Sequence, residues 1–502
     1  MRSTLHRTTR AGWINPTYAR VSSPSLRYLP SPSPTWGPSA AVGAISALVF
    51  ATSGAGSWLV WALATVALLC ISSTLSYLAK RATTTGGLYA LLARVVNPGT
   101  GLAVAWVEAL AVAAALPAVM FQAAVFLGAY LGAYLALPLF GLPNNTWTAL
   151  IICFVFALVP GLFTYYGIKL STRLMLILEM ISITLITLLM IIVLATHPGG
   201  VFDHDELTLH GLSFHTILLG GTLTIFAFNG FESCTVYGRE ARNPKRAIPA
   251  SLVGSVGLAG LFFVFCSYVI FLGFAGTSHN VGTSANPLVE VADIAGVNWL
   301  GYIVSLGVII GIFSVMIAAY AGGARFFLTL SQEGLLPRYL GTVSAKRRTP
   351  VGATIFMGAW CFVPLVIVFA LHASVDNAYG NFGSLAGYGA GAMYIGAGLF
   401  VAISVIQKFG LKRLDLTVAG FVGAAALGYG IYVSFNPLVP FPGDIWLFIF
   451  CGILALACAS YIWLKLAHRG VLQRIGSSAT APEVMTGQAA EPLTGRSASC
   501  EH

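Results

Sequence analysis

Charge is what this sequence has least of. Only 8% of its 502 residues are charged, while 57% are hydrophobic; a typical soluble domain carries about 25% charge. So little charge cannot cover the surfaces of the several soluble domains that length alone would suggest. Paired cysteines are missing as well. Seven of the eight (Cys70, Cys153, Cys234, Cys266, Cys361, Cys451 and Cys458) fall in apolar stretches with neither paired nor metal-ligand spacing. That argues against a disulfide framework and reads them as small packing residues. No nucleotide-binding glycine loop is present, which argues against ATP-driven chemistry. Nor is there a His/Asp cluster or nucleophile–base pair at membrane depth, as a membrane enzyme would need. Repeated filter elements of a channel are absent too. No cofactor and no metal are expected.

What the sequence has in abundance is apolar runs of about 20 residues, each long enough to cross ~30 Å of hydrocarbon. They lie near 37–55, 57–79, 99–130, 146–166, 172–195, 215–238, 248–275, 298–324, 350–371, 383–406, 416–436 and 443–465. The expected fold class is therefore an all-α polytopic membrane protein with twelve transmembrane helices. The net charge of +10 suggests a nucleic-acid partner until its distribution is considered. With the N-terminus inside, every Lys and Arg falls in a cytoplasmic connection or tail, from Lys80/Arg81/Arg94 to Lys465 onward. Basic residues in short loops set orientation in this way. The charge is topogenic, both termini are expected in the cytoplasm of a cell-membrane protein, and no nucleic acid is implied. The lipid bilayer is the partner.

Residues 1–36, rich in Arg, Ser and Pro, are expected to be a disordered cytoplasmic tail, with an organelle transit peptide as the rival reading. Residues 37–466 form the membrane domain, and 467–502 a second disordered cytoplasmic tail. The outer connection 197–215 holds His197, Asp203, His204, Asp205, Glu206, His210 and His215 without fixed ligand spacing, so it reads as a solvated loop.

Three carboxylates break the apolar pattern: Glu108, Glu179 and Glu232, with no Lys or Arg at similar depth. Charge there is costly, roughly 3 kcal/mol on insertion scales, and marks function by default. The most telling stretch is Phe226-Ala227-Phe228-Asn229-Gly230-Phe231-Glu232-Ser233, where a glycine, an amide and a carboxylate interrupt segment six. A glycine-interrupted apolar segment is the best pointer to a transporter binding site. Glu232 is a candidate gate or proton site, although bonding freed backbone at the interruption would equally explain it. Glu108 is a candidate partner able to share a proton or a cation with it. Glu179, only ~10 Å from the inner surface at 1.5 Å per residue, reads better as structural. The small-residue stretch Ala41-Val42-Gly43-Ala44-Ile45-Ser46 in segment one fits either an opening in the helix or close packing.

The run Phe226–Pro249, with Gly-Phe-Glu-Ser followed by Arg-Asn-Pro-Lys-Arg-Ala-Ile-Pro, resembles the sixth-helix signature of the amino acid–polyamine–organocation (APC) transporter superfamily. Gly86-Gly87-Leu88-Tyr89 is similar to its turn after helix two, and Gln332–Pro337 to its stretch after helix eight. The resemblance covers roughly residues 38–466. It implies a five-plus-five inverted repeat with broken helices 1 and 6, and alternating-access transport of an amino acid or, alternatively, a polyamine or other cationic amine. A coupling proton is a further candidate partner, because a carboxylate in an apolar setting can accept one near neutral pH. Its expected substrate-binding residues are Val42, Gly43, Ala44, Ile45 and Ser46 on helix one, with Phe226, Ala227, Asn229 and Gly230 on helix six. Phe226 is the expected outer gate, and Glu232 with Glu108 the inner, proton-coupling one. The lysine that some proton-coupled members place on helix five has no counterpart around Met180 to Ile183.

Overall fold

The computed structural model describes residues 37–82, 86–134, 146–167, 172–200, 202, 207, 213–237, 243–284, 286–344, 347, 349–435, 444–467 and 469–476. Among them there is no strand. The helices are α1 (Pro38–Ser53), α2 (Ser57–Arg81), α3 (Leu88–Val95), α4 (Pro98–Tyr134), α5 (Thr146–Tyr166), α6 (Thr172–Thr196), α7 (Phe214–Leu218) and α8 (Gly221–Phe228). They continue as α9 (Pro244–Phe274), α10 (Pro287–Ile294), α11 (Asn298–Gln332), α12 (Val351–Ala370), α13 (Val375–Phe409), α14 (Leu414–Ser434), α15 (Asp444–Ala467) and α16 (Arg469–Arg474).

Ten spans among the described residues are long and apolar enough to cross a membrane. One of them, Pro38–Arg81, contains both α1 and α2, which a 3-10 turn at Gly54–Gly56 divides. The sixth expected segment is not among the ten because it is in pieces: α7, α8 and a 3-10 helix at Phe231–Tyr237. Large apolar side chains cover the outside. Leu258 and Leu261 on α9 are 74% and 72% exposed, a placement that water would penalise by about 1.5–3 kcal/mol each and hydrocarbon does not. Trp147 and Trp299 are exposed in the first turns of α5 and α11, where an aromatic belt sits at a membrane–water boundary. The Arg81 guanidinium lies 4.3 Å from the Tyr77 ring centroid and 5.2 Å from that of Phe409, joining α2 to α13 at the basic end. The protein is a multi-pass, all-α membrane protein.

The first segment corrects one expectation. α1 runs without interruption through Val42–Ser46, so no opening occurs there. Gly43 has another purpose: a Cβ on it would meet Val308 Cγ1 of α11 at 2.7 Å. It is a contact glycine that lets two helices approach. The glycines of segment ten act likewise. A Cβ at Gly389 of α13 would come within 2.7 Å of the Ala111 backbone nitrogen of α4, and one at Gly387 would collide with the Thr222 carbonyl of α8. The glycines thus wedge α13 between α4 and the interrupted segment.

Residues 1–36 and 477–502 lie outside the described residues. Helix continues past the boundary expected at 466, however. Behind α16, Ile475 is buried, and the Gly476 N–H donates to Glu333 Oε1 at 2.9 Å.

Candidate functional site

The site is built on the interrupted segment. α8 is buried at all eight positions, so its backbone is held by packing on every side. It begins where the Gly220 N–H donates to Ser53 Oγ at 3.0 Å. It ends at Asn229, whose backbone is extended (φ −58°, ψ 128°), followed by Gly230 at φ 107°. That left-handed conformation suits glycine and strains other residues. The chain then resumes as the 3-10 helix. Glu232 Oε2 accepts the Gly230 N–H at 3.1 Å, and the Ser233 hydroxyl donates to the Gly230 carbonyl at 2.6 Å. Tyr394 of α13 donates its hydroxyl to the same Glu232 oxygen at 2.6 Å, and its ring packs on Phe231 at 5.1 Å. Glu232 therefore bonds the opened backbone, as one of its two readings required, and also faces a cavity.

That cavity, about 140 Å³, lies among α1, α4, α8 and α11. Its polar lining comprises Glu108, Gln122, Asn229, Glu232, Ser233 and Thr235. The rest is mostly alanine, glycine and valine, with Phe226 and Phe326. Of the residues expected from sequence, Phe226, Ala227, Asn229, Gly230, Glu232, Glu108 and Ile45 line it. Val42, Gly43, Ala44 and Ser46 do not; Gly37, Ala40 and Ala41 stand in their place, at the start of α1. The Phe226 ring packs opposite Gly383, where a Cβ would stand 3.4 Å from it.

Glu108 on α4 faces the same space. Its Oε2 accepts the Tyr89 N–H at 3.1 Å, at the first turn of α3. The buried Tyr89 hydroxyl reaches Glu333 Oε2 at 3.4 Å, and Glu333 in turn holds Gly476. Tyr89 and Glu333 thus link the cavity wall, through α3, to Gly476.

Two contributions, those of Gln122 and Thr235, were not assigned from the sequence, and neither was the partner of Glu179. Gln122, buried in α4, donates Nε2 to the Ala40 carbonyl at 3.1 Å and so ties α4 to α1 at the cavity wall. A lone amide in an apolar helix was the available signal. Thr235, 2% exposed, lines the cavity with a hydroxyl that has no hydrogen-bond partner among the described residues. Glu179 of α6 stands behind the wall. Its Oε1 accepts the Ser39 N–H at 2.8 Å and its Oε2 the Ser39 hydroxyl at 2.9 Å. Asp203, His204, Asp205, Glu206 and His210 of the outer connection lie outside the described residues.

Fold and site together define a multi-pass membrane protein with an internal, carboxylate-bearing cavity at an interrupted helix. The sequence profile described as "Amino acid permease" matches residues 37–464, and the chain belongs to that family. It is 27% identical over 318 residues to the branched-chain amino acid permease BcaP of Bacillus subtilis, covering 61% of this chain and 66% of that permease. It is 27% identical over 257 residues to the low-affinity putrescine importer PlaP of Escherichia coli (49% of this chain, 52% of PlaP). The match to cationic amino acid transporter 1 of Arabidopsis thaliana is 26% over 175 residues, 35% of this chain and 29% of the transporter. In each case the chain spans less than two thirds of the relative's length.

Proposed function

We propose that this protein is a secondary transporter that carries an amino acid or amine across the cell membrane by alternating access. The observation that carries this reading is the cavity itself. It sits where α8 ends and the chain reopens at Asn229–Gly230, walled by Glu108 and Glu232. An ammonium group suits that place, because a helix C-terminus and carboxylates both favour cations. Amino acids and amines share that group, and so do the compounds named for the relatives. The twelve-span reading pairs α1 through α15 with the segments expected from sequence. It counts α1 and α2 separately and takes α7, α8 and the 3-10 helix as the sixth. Helices one to five and six to ten would be the inverted repeat, and both termini would be cytoplasmic. Gly37, Ala40 and Ala41 join Ile45 on the helix-one side of the binding site, in place of Val42, Gly43, Ala44 and Ser46. Phe226 acts as the outer gate, and Glu232 with Glu108 as the inner gate that receives a coupling proton. Uptake of a panel of labelled amino acids and amines into proteoliposomes, with and without an imposed proton gradient, tests the reading. Gradient-stimulated accumulation of at least one compound is expected. Gradient-independent equilibration of all of them would leave only facilitated diffusion, and no uptake of any would refute transport.

A further inference from the structure

The helix ends at the cavity, those of α1, α3 and α8, are not equivalent. A helix N-terminus carries about half a positive charge and unpaired N–H groups, which makes it a receiver of carboxylates. α1 begins at the cavity, since Gly37, Ala40 and Ala41 line it. Its first residue, Pro38, has no N–H to offer. The next N–H, that of Ser39, is taken by Glu179 at 2.8 Å, and the Ser39 hydroxyl donates to the second oxygen at 2.9 Å. The Ala41 N–H donates to the Gly37 carbonyl at 3.1 Å. Ser39 is fully buried. A Cβ at Gly311 of α11 would come within 3.3 Å of Glu179 Oε2, so the carboxylate is packed in from behind as well. The N-terminus of α3 also reaches the cavity, through Gly86, Gly87 and Leu88, and there Glu108 accepts the Tyr89 N–H at 3.1 Å. At both α-helix N-termini on this cavity the protein thus supplies its own carboxylate.

The rest of the lining is biased the same way. The α8 C-terminus carries partial negative charge, Glu108 and Glu232 face the space, and no described lining residue is Lys, Arg or His. A neutral α-amino acid brings a carboxylate as well as an ammonium, and that carboxylate would meet two glutamates with the α1 terminus already neutralised. An aliphatic amine meets no such conflict. The Thr235 hydroxyl, 2% exposed in the cavity wall and without a hydrogen-bond partner among the described residues, is a ready acceptor for an ammonium N–H.

We infer that Glu179 is a specificity-determining residue: by occupying the N-terminus of α1 it turns the cavity toward cationic amines that lack a carboxylate, such as linear diamines, and away from α-amino acids. This rests on the transport reading above. Cadaverine and lysine form the discriminating pair, since they differ only by the α-carboxylate. Each is used as a competitor and as a labelled solute in proteoliposomes holding the wild-type protein, Glu179→Ala or Glu179→Gln. The ratio of the two within one preparation does not depend on the folded fraction. In the wild type, cadaverine should compete at a concentration at least tenfold below that of lysine. Glu179→Ala, which frees the Ser39 N–H, should narrow the ratio about tenfold. Glu179→Gln, an isostere that removes the charge and still accepts from Ser39, should narrow it less. Lysine equal to or better than cadaverine in the wild type, or a ratio unmoved in both variants, overturns the inference while leaving transport intact. Uptake of neither compound, nor of leucine, by monodisperse protein overturns the transport reading and the inference with it.

Discussion

Tyr394 donates its hydroxyl to Glu232 across 2.6 Å, so the glycine-rich helix α13 grips the reopened part of the sixth segment by its one acidic side chain. The same glutamate oxygen bonds the Gly230 N–H. Removing the tyrosine hydroxyl leaves a buried carboxylate short of a donor, at a cost of about 1–3 kcal/mol. Tyr394→Phe is therefore expected to lower the Tm of the detergent-solubilised protein and to reduce uptake about tenfold. Unchanged values of both would show that the bond does not hold the gate.

Gly230 sits at φ 107° because the chain must turn out of α8 before restarting as a 3-10 helix. A side chain there stores about 1–3 kcal/mol of backbone strain. Gly230→Ala should lower Tm and reduce uptake, whereas Gly254→Ala, on α9 with open space around it, should leave both near wild type.

Proton coupling is expected to run through the paired carboxylates. Glu232→Gln and Glu108→Gln each remove one member, and the double variant removes both. The double variant should lose stimulation by an imposed proton gradient while retaining solute exchange across the membrane. Full gradient-driven accumulation in Glu232→Gln would dispose of the proton role of that residue.

Glu333 joins Tyr89 of α3 to Gly476 beyond α16. Glu333→Ala strands the buried Tyr89 hydroxyl and the Gly476 N–H, each worth about 1–3 kcal/mol. A lower Tm is expected, together with faster proteolytic loss of the C-terminal residues. Equal protection of that end in the variant and the wild type would show that Glu333 does not hold it.

Much of this architecture was legible in the residues themselves. The apolar runs outlined the helices: the described residues of the expected segments are largely helical, the sixth in three pieces. The opening in the sixth segment was legible because glycine, amide and carboxylate occur together where only apolar residues belong. The matching opening expected at Val42–Ser46 was misplaced, because Gly43 looks the same in sequence whether it opens a helix or makes room for Val308, 265 positions away. Glu179 was visible as a membrane carboxylate, but its meaning lies in Ser39, 140 residues distant, and no local pattern links the two. The helix at Arg469–Arg474 escaped notice for a similar reason: it is short and half polar, and the residue after it is held by a buried glutamate just past the end of α11.

If the cavity between α1, α4, α8 and α11 is the solute pathway, filling it stops transport. Ala115 on α4 lines it, and an indole placed there would fill it. Leu258 on α9 faces outward and serves as the control. The direct measurement compares uptake by Ala115→Trp and Leu258→Trp in proteoliposomes, using preparations matched for monodispersity and Tm. Loss of uptake is expected in the first and near wild-type uptake in the second. A folded Ala115→Trp protein that transports like the wild type would contradict that assignment.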